Sequence, residues 1–113
     1  MVVNYKELIA SVSANTAKLR KGIPDVMQGF NAMAGAAGKD GVLDAKTKEL
    51  IAIALSVSVR CDPCLGYHTQ ALAKLGCTRE ELAEALGMAV YMGGGPSLMY
   101  AARASAAFDE FAA

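Results

Sequence analysis

Residues 61–68 read Cys-Asp-Pro-Cys-Leu-Gly-Tyr-His and hold two of the three cysteines and the only histidine of the 113-residue chain. Pro63 has a φ fixed near the helical value and no N–H, so it is typical of the first turn of a helix. The segment therefore predicts a helix that begins beside Cys64. The unpaired N–H groups and the dipole at such a helix start favour a thiolate over a thiol.

The spacing of the three side chains indicates redox chemistry. His68 follows Cys64 by four residues, so the two share a helix face, and the backward tilt of Cα–Cβ bonds tips the imidazole over the sulfur. Cys61 precedes Cys64 by three residues, which in a helical turn separates their Cβ atoms by about 5–6 Å. A disulfide can close across that distance with modest adjustment. We therefore expect a pair that cycles between dithiol and disulfide, with a base beside Cys64.

Composition limits the classes of function. The chain is 54% hydrophobic and 19% charged, against a usual charged share of about 25%, so a small monomer would have too little polar surface. We expect one domain, residues 1–113, that forms a homo-oligomer. Eleven basic and eleven acidic residues give zero net charge without a basic run, and nucleic acid is not an expected partner.

No membrane association is expected either. The longest apolar run, 50–59, is interrupted by Ser56 and Ser58 and falls short of the roughly 20 residues that span a bilayer. The first ten residues lack the apolar region of a secretory signal. A cytoplasmic location is therefore expected, and a close cysteine pair in that reducing compartment is more often catalytic or metal-binding than structural.

The remaining pattern predicts an all-α fold of about six helices. β-branched residues are sparse, and no alternating stretch is bounded by hairpin turns. Because the second half of the third helix is apolar on most sides, we expect it to be the buried central element. The first helix is expected at Tyr5–Arg20, and the second begins at Pro24 and is ended by Gly35, Gly38 and Gly41. The third covers 45–59 after the N-cap Asp44, and the fourth covers 63–75 and stops at Gly76. The fifth begins with a capping box at Thr78 and Glu81 and ends at Gly93-Gly94-Gly95, and the sixth runs from Pro96 to about Phe111.

Glu49 is the expected partner of His68. It lies on the helix that leads into the cysteine pair, at the edge of the apolar run, where a buried carboxylate needs a partner. If Glu49 accepts a hydrogen bond from one imidazole nitrogen, it sets the tautomer, and the other nitrogen can take the Cys64 proton directly or through one water.

These residues resemble the AhpD-like alkylhydroperoxidases of the carboxymuconolactone decarboxylase superfamily. The similarity runs from about Leu43 to Ala102. It is carried by the ordered set Glu49, Cys61, Cys64 and His68, by Thr78-Arg79-Glu80-Glu81-Leu82-Ala83-Glu84-Ala85-Leu86-Gly87, and by Met92-Gly93-Gly94-Gly95-Pro96.

The resemblance implies an AhpD-like helical fold and a thiol peroxidase without a metal or organic cofactor. By that analogy Cys64 attacks a peroxide, Cys61 resolves the sulfenic acid, and Glu49 and His68 relay protons. It further implies a trimer or hexamer and a lipoyl-bearing or other dithiol protein as reductant. The best-studied members place a second histidine between the cysteines, whereas this chain has Asp62 and Pro63. Like-charge repulsion from Asp62 is expected to raise the Cys64 pKa.

Three alternatives stand beside the peroxidase. Zinc could bind the two cysteines, the histidine and a carboxylate, although the chain has one Cys-x-x-Cys and no second such segment. A lactone decarboxylase like the superfamily's namesake would not need paired thiols. A redox-sensing or metal-binding helical subunit would not be an enzyme. Cys77 is expected to be structural, and Tyr67, Tyr91 and Tyr100 are expected in the core or at a subunit interface.

Overall fold

The computed structural model describes residues 2–113, which form six α-helices and no strand. This confirms the predicted all-α class and the number of helices. Within residues 2–113, no helix has both the length and the hydropathy needed to cross a bilayer. The helices are α1 (Tyr5–Arg20), α2 (Pro24–Gly38), α3 (Ala45–Ser58), α4 (Asp62–Lys74), α5 (Arg79–Gly93) and α6 (Gly95–Ala112).

The core lies where α3, α4, α5 and α6 pack against one another, with α1 laid across α4 and α6. Its largest fully buried side chains are Tyr5, Phe108, Ile53, Leu65 and Leu72. Complete burial of an apolar side chain of this size stabilises a fold by about 1.5–3 kcal/mol. Since α4 contributes Leu65 and Leu72 and contacts three other helices, the segment that carries the cysteine pair is anchored in the core.

The predicted N-caps are confirmed. The Asp44 side chain accepts a hydrogen bond from the Thr47 N–H at 2.8 Å. Thr78 and Glu81 form a reciprocal capping box at the start of α5. These local contacts satisfy backbone N–H groups that a helix leaves unpaired in its first turn, which is why the sequence located both helix starts.

The second helix begins at Pro24 and ends at Gly38, within the glycine cluster predicted to end it, and none of its residues is buried. Phe30 is 56% exposed, and α2 makes only a slight contact with α3. Its apolar stripe is therefore left largely uncovered by the rest of residues 2–113.

The expected burial of α3 is correct on one face only. Ile53, Ser56 and Val57 are buried, whereas Leu55 is 60% exposed. Tyr91, expected in the core or at an interface, is 79% exposed, so a core position is wrong for the single chain. Composition cannot distinguish a face buried by its own chain from one available to another chain.

Candidate active site

A tight turn between α3 and α4 positions the cysteine pair. The Cys61 N–H bonds to the Ser56 carbonyl at 3.1 Å and the Arg60 N–H to the Val57 carbonyl at 3.2 Å, which closes α3 with a Schellman motif. Arg60 holds the left-handed position of this motif with φ 58°, where glycine is the usual residue. The turn reverses the chain so that Cys61 becomes the N-cap of α4.

Cys61 caps the helix through its sulfur. The Cys64 N–H donates to the Cys61 Sγ at 3.3 Å, and Pro63 occupies the first turn as predicted. Cys64 therefore occupies the third helical position, among the N–H groups that have no partner within the helix. The helix begins at Asp62, one residue before the predicted start.

Cys61 and Cys64 are joined by a disulfide, with their Cα atoms 5.2 Å apart. Neither residue is buried or fully exposed. The third cysteine, Cys77, is buried away from the pair, and its thiol donates to the Thr78 carbonyl at 3.3 Å. Burial, followed by the nearby Glu81 carboxylate, raises the Cys77 pKa, so this thiol has the character of a structural residue.

Glu49 and His68 are brought together by the packing of α3 against α4. Glu49 Oε2 lies 2.6 Å from His68 Nδ1, and the side chains are 26% and 34% exposed. A carboxylate can only accept, so Nδ1 carries the hydrogen and Nε2 of a neutral imidazole has the lone pair. The expected hydrogen bond is present, and it assigns Nε2 as the nitrogen able to take a proton.

A pocket of about 520 Å³ opens on this pair between α2 and α3. Lys48, which also lines it, directs its Nζ to the Lys39 carbonyl at 2.7 Å. The pocket can therefore receive an apolar molecule next to an acid–base pair. Its apolar lining includes Ala34, Ala37, Leu43, Ile51, Ala52 and Leu55.

Asp62 has partners that the sequence did not reveal. Its Oδ1 accepts from the Tyr5 hydroxyl and its Oδ2 from Arg103 Nη1, both at 2.7 Å. Arg103 lies 41 residues beyond Asp62 and Tyr5 57 residues before it. No local pattern links residues so far apart, and only the packing of α1 and α6 against α4 joins them.

The side chains of the zinc alternative have other partners in this structure. Across residues 2–113, no three His, Cys, Asp or Glu side chains are grouped so that they could hold a metal ion. Cys61 and Cys64 are bonded to each other, and the Glu49 carboxylate is engaged with His68.

Comparison with known proteins identifies the class that this fold and site define. The family model described as "Carboxymuconolactone decarboxylase family" matches residues 24–107. The chain belongs to the carboxymuconolactone decarboxylase family, and the AhpD-like resemblance noted in its sequence is confirmed.

Solved structures of relatives share the whole fold. The apo form of lpg0406, a carboxymuconolactone decarboxylase family protein from Legionella pneumophila, is 57% identical with a TM-score of 0.94, over 96% of this chain and 97% of that one. TM1620 from Thermotoga maritima, a member of the same family for which a role in the antioxidative response has been suggested, is 31% identical with a TM-score of 0.80, over 92% and 88% of the two chains. An uncharacterized protein of Cupriavidus necator is 40% identical over 109 residues, 96% of each chain.

Proposed function

We propose that this protein is a thiol-dependent peroxidase, or a disulfide oxidoreductase of the same chemistry, with Cys64, Cys61, His68 and Glu49 as its catalytic residues. The observation that supports the proposal is the Cys61–Cys64 disulfide in the first turn of a helix whose second turn carries a histidine bonded to a carboxylate. The role suggested for TM1620 agrees with it.

The first step is attack by Cys64. His68 Nε2 accepts the thiol proton while Glu49 stabilises the resulting imidazolium. The thiolate electron pair attacks the terminal oxygen of a hydroperoxide, the O–O bond breaks, and the imidazolium returns a proton to the leaving oxygen. The products are a Cys64 sulfenic acid and an alcohol. The pocket beside His68 favours peroxides with an apolar body over hydrogen peroxide.

The second step forms the disulfide. The Cys61 thiol displaces the sulfenic hydroxyl of Cys64, which leaves as water, and the Cys61–Cys64 bond closes. An external dithiol then reduces this bond by exchange, becomes a disulfide itself and restores both thiols. A lipoyl-bearing or other dithiol protein is the proposed reductant, and the cytoplasm is a setting in which such a reductant stays reduced.

Cys64 is assigned as the attacking thiol because it precedes His68 by one helical turn, whereas Cys61 precedes it by seven residues and lies outside the helix. The assignment is tested by identifying, with mass spectrometry, which cysteine first gains an oxygen on exposure to a panel of hydroperoxides. Wild type should lose two thiols per chain, and Cys61→Ser should accumulate a sulfenic acid on Cys64 that dimedone traps. Cys77→Ser is the matched control and should still lose two thiols.

Two results would contradict the peroxidase. One is an unchanged thiol count after peroxide treatment of the reduced protein. The other is turnover of a carboxylated lactone that survives Cys64→Ser, which would support the decarboxylase alternative. A stoichiometric zinc that protects both thiols would instead support the metal-binding subunit.

We further propose a homo-oligomer in which the exposed apolar stripe of α2 packs against a second copy. Val26, Phe30 and Met33 are each more than half exposed, although the helix carries few charged residues. A second copy is the proposed occupant because, with 19% charged residues, the chain has less polar surface than a small monomer needs. Light scattering should give a mass of several chains for wild type and a smaller one for Phe30→Glu. Lys18→Glu, at an exposed position of α1, is the control, and a monomeric wild type would refute the proposal.

A further inference from the structure

The carboxylate between the two cysteines is held by two other helices. Asp62 is the first residue of α4, and both of its oxygens are engaged: Oδ1 by the Tyr5 hydroxyl from α1 and Oδ2 by Arg103 Nη1 from α6. Tyr5 is only 2% exposed, and the Arg103 guanidinium lies over the Tyr100 ring, 4.9 Å from its centroid. Three helices therefore meet at one charged group inside the Cys-x-x-Cys motif.

This contact changes the electrostatic environment expected from the sequence. An uncompensated carboxylate two residues before Cys64 opposes the negative charge of a thiolate and raises the thiol pKa. The Arg103 guanidinium lies 2.7 Å from the Asp62 carboxylate, and its positive charge cancels most of the carboxylate's electric field at more distant groups such as the Cys64 sulfur. The other charged or titratable groups near the turn are Arg60 in the turn itself, His68, bonded to Glu49 from α3, and Glu110 of α6, which accepts from the Tyr5 N–H. The hydrogen bonds that engage Asp62 come from Tyr5 and Arg103 and from none of these three.

We propose that Arg103 and Tyr5 are positioning residues for the redox pair, which hold the Asp62 carboxylate in a neutralised contact with α1 and α6 so that the Cys64 thiolate forms near neutral pH. The inference rests on the proposed function in that Cys64 is the attacking thiol.

A purely structural role is the alternative. Arg103 and Tyr5 could serve only to tie α1 and α6 to α4, and their loss would then lower stability without moving the titration of Cys64. The two roles separate when Asp62 is removed as well. In the electrostatic role Arg103→Met raises the Cys64 midpoint because it leaves the Asp62 carboxylate unneutralised, so removing Asp62 as well cancels that rise. Loss of a structural tie is not reversed by removing Asp62.

The test measures the rate at which iodoacetamide alkylates Cys64 in the reduced protein as a function of pH, resolved by peptide mass spectrometry. Arg103→Met should move the midpoint of this profile up by about half a unit to one unit, which from a midpoint near neutral pH is about a twofold to fivefold loss of thiolate at pH 7. Asp62→Asn should move the midpoint down. The double variant, Asp62→Asn with Arg103→Met, should have a midpoint at or below that of the wild type. Tyr5→Phe should give a smaller upward shift, and Arg103→Lys should restore most of the wild-type value.

The matched control is Arg79→Met, which removes another Arg–Asp pair, Arg79–Asp109, and a guanidinium that lies over the Phe108 ring. It should leave the Cys64 midpoint unchanged. Circular dichroism verifies that each variant is folded. If Arg103→Met does not fold, the other two variants carry the test: Arg103→Lys should keep most of the wild-type midpoint, and Asp62→Asn should lower it. An unmoved midpoint in Arg103→Met or in Asp62→Asn would overturn the inference. A shifted midpoint in a protein that consumes no hydroperoxide would support the positioning role and refute the peroxidase.

Discussion

Replacement of Gly66 by alanine is the sharpest test of how α1 meets the helix that carries the cysteines. Gly66 is buried in α4, two residues after Cys64. A Cβ at this position would collide with Ile9 Cγ2 and would lie 3.5 Å from Tyr5 Cδ1. Ile9 is 7% exposed and β-branched, so its Cγ2 cannot swing aside without an unfavourable χ1. Gly66 therefore permits the close approach that also brings Tyr5 to Asp62.

Two opposed effects determine the magnitude. Alanine is better than glycine inside a helix by about 1 kcal/mol. Overpacking of a tight core contact costs about 1–3 kcal/mol. Gly87 in α5 isolates the first effect, since it is exposed and a Cβ there meets nothing within 4 Å. Gly87→Ala should stabilise the protein by about 0.5–1 kcal/mol, and Gly66→Ala should be less stable than Gly87→Ala by about 1–3 kcal/mol.

The assay is equilibrium urea denaturation at a fixed chain concentration, because binding to other copies shifts apparent stability. Ile9→Ala removes the colliding atom and should cost about 2–5 kcal/mol by itself. In that background Gly66→Ala should become neutral or stabilising, which gives a coupling between the two sites. If Gly66→Ala stabilises the wild-type protein as much as Gly87→Ala does, the close packing of α1 on α4 is refuted.

Three further outcomes are expected. Thr78→Ala removes the capping box of α5 and should lower the free energy of unfolding by about 1 kcal/mol in urea, while Thr16→Ala, which does not cap a helix, should change it much less. Arg60→Gly relieves a left-handed φ and should raise that free energy by about 0.5–1 kcal/mol; a decrease would show that the Arg60 side chain stabilises the turn. Burial raises the Cys77 pKa, so the unfolded chain releases this proton first, and stability should fall as pH rises above about 8.5. Cys77→Ala should reduce the fall of the free energy of unfolding with pH. An identical pH dependence in both proteins would contradict the raised pKa of Cys77.

The sequence by itself determined the features that depend on neighbours within about one helical turn. Asp44, Thr78 and Pro63 each act on N–H groups or dihedrals a few residues away, so the helix starts could be predicted without knowledge of the packing. The Cys61–Cys64 spacing is of the same kind, because three residues in a helical turn leave two thiols within bonding reach. The Glu49–His68 contact was expected only because burial of a carboxylate requires a partner.

Only the tertiary structure decided which side chains meet across helices and which faces remain uncovered. The apolar stripe of α2 has the pattern of a core helix, yet Phe30 is exposed because no helix within residues 2–113 covers it. The contacts of Asp62 with Tyr5 and Arg103 join residues 57 and 41 positions apart. Such contacts depend on the angles and offsets at which whole helices pack, and those are set by the summed shape of many side chains, not by any local pattern.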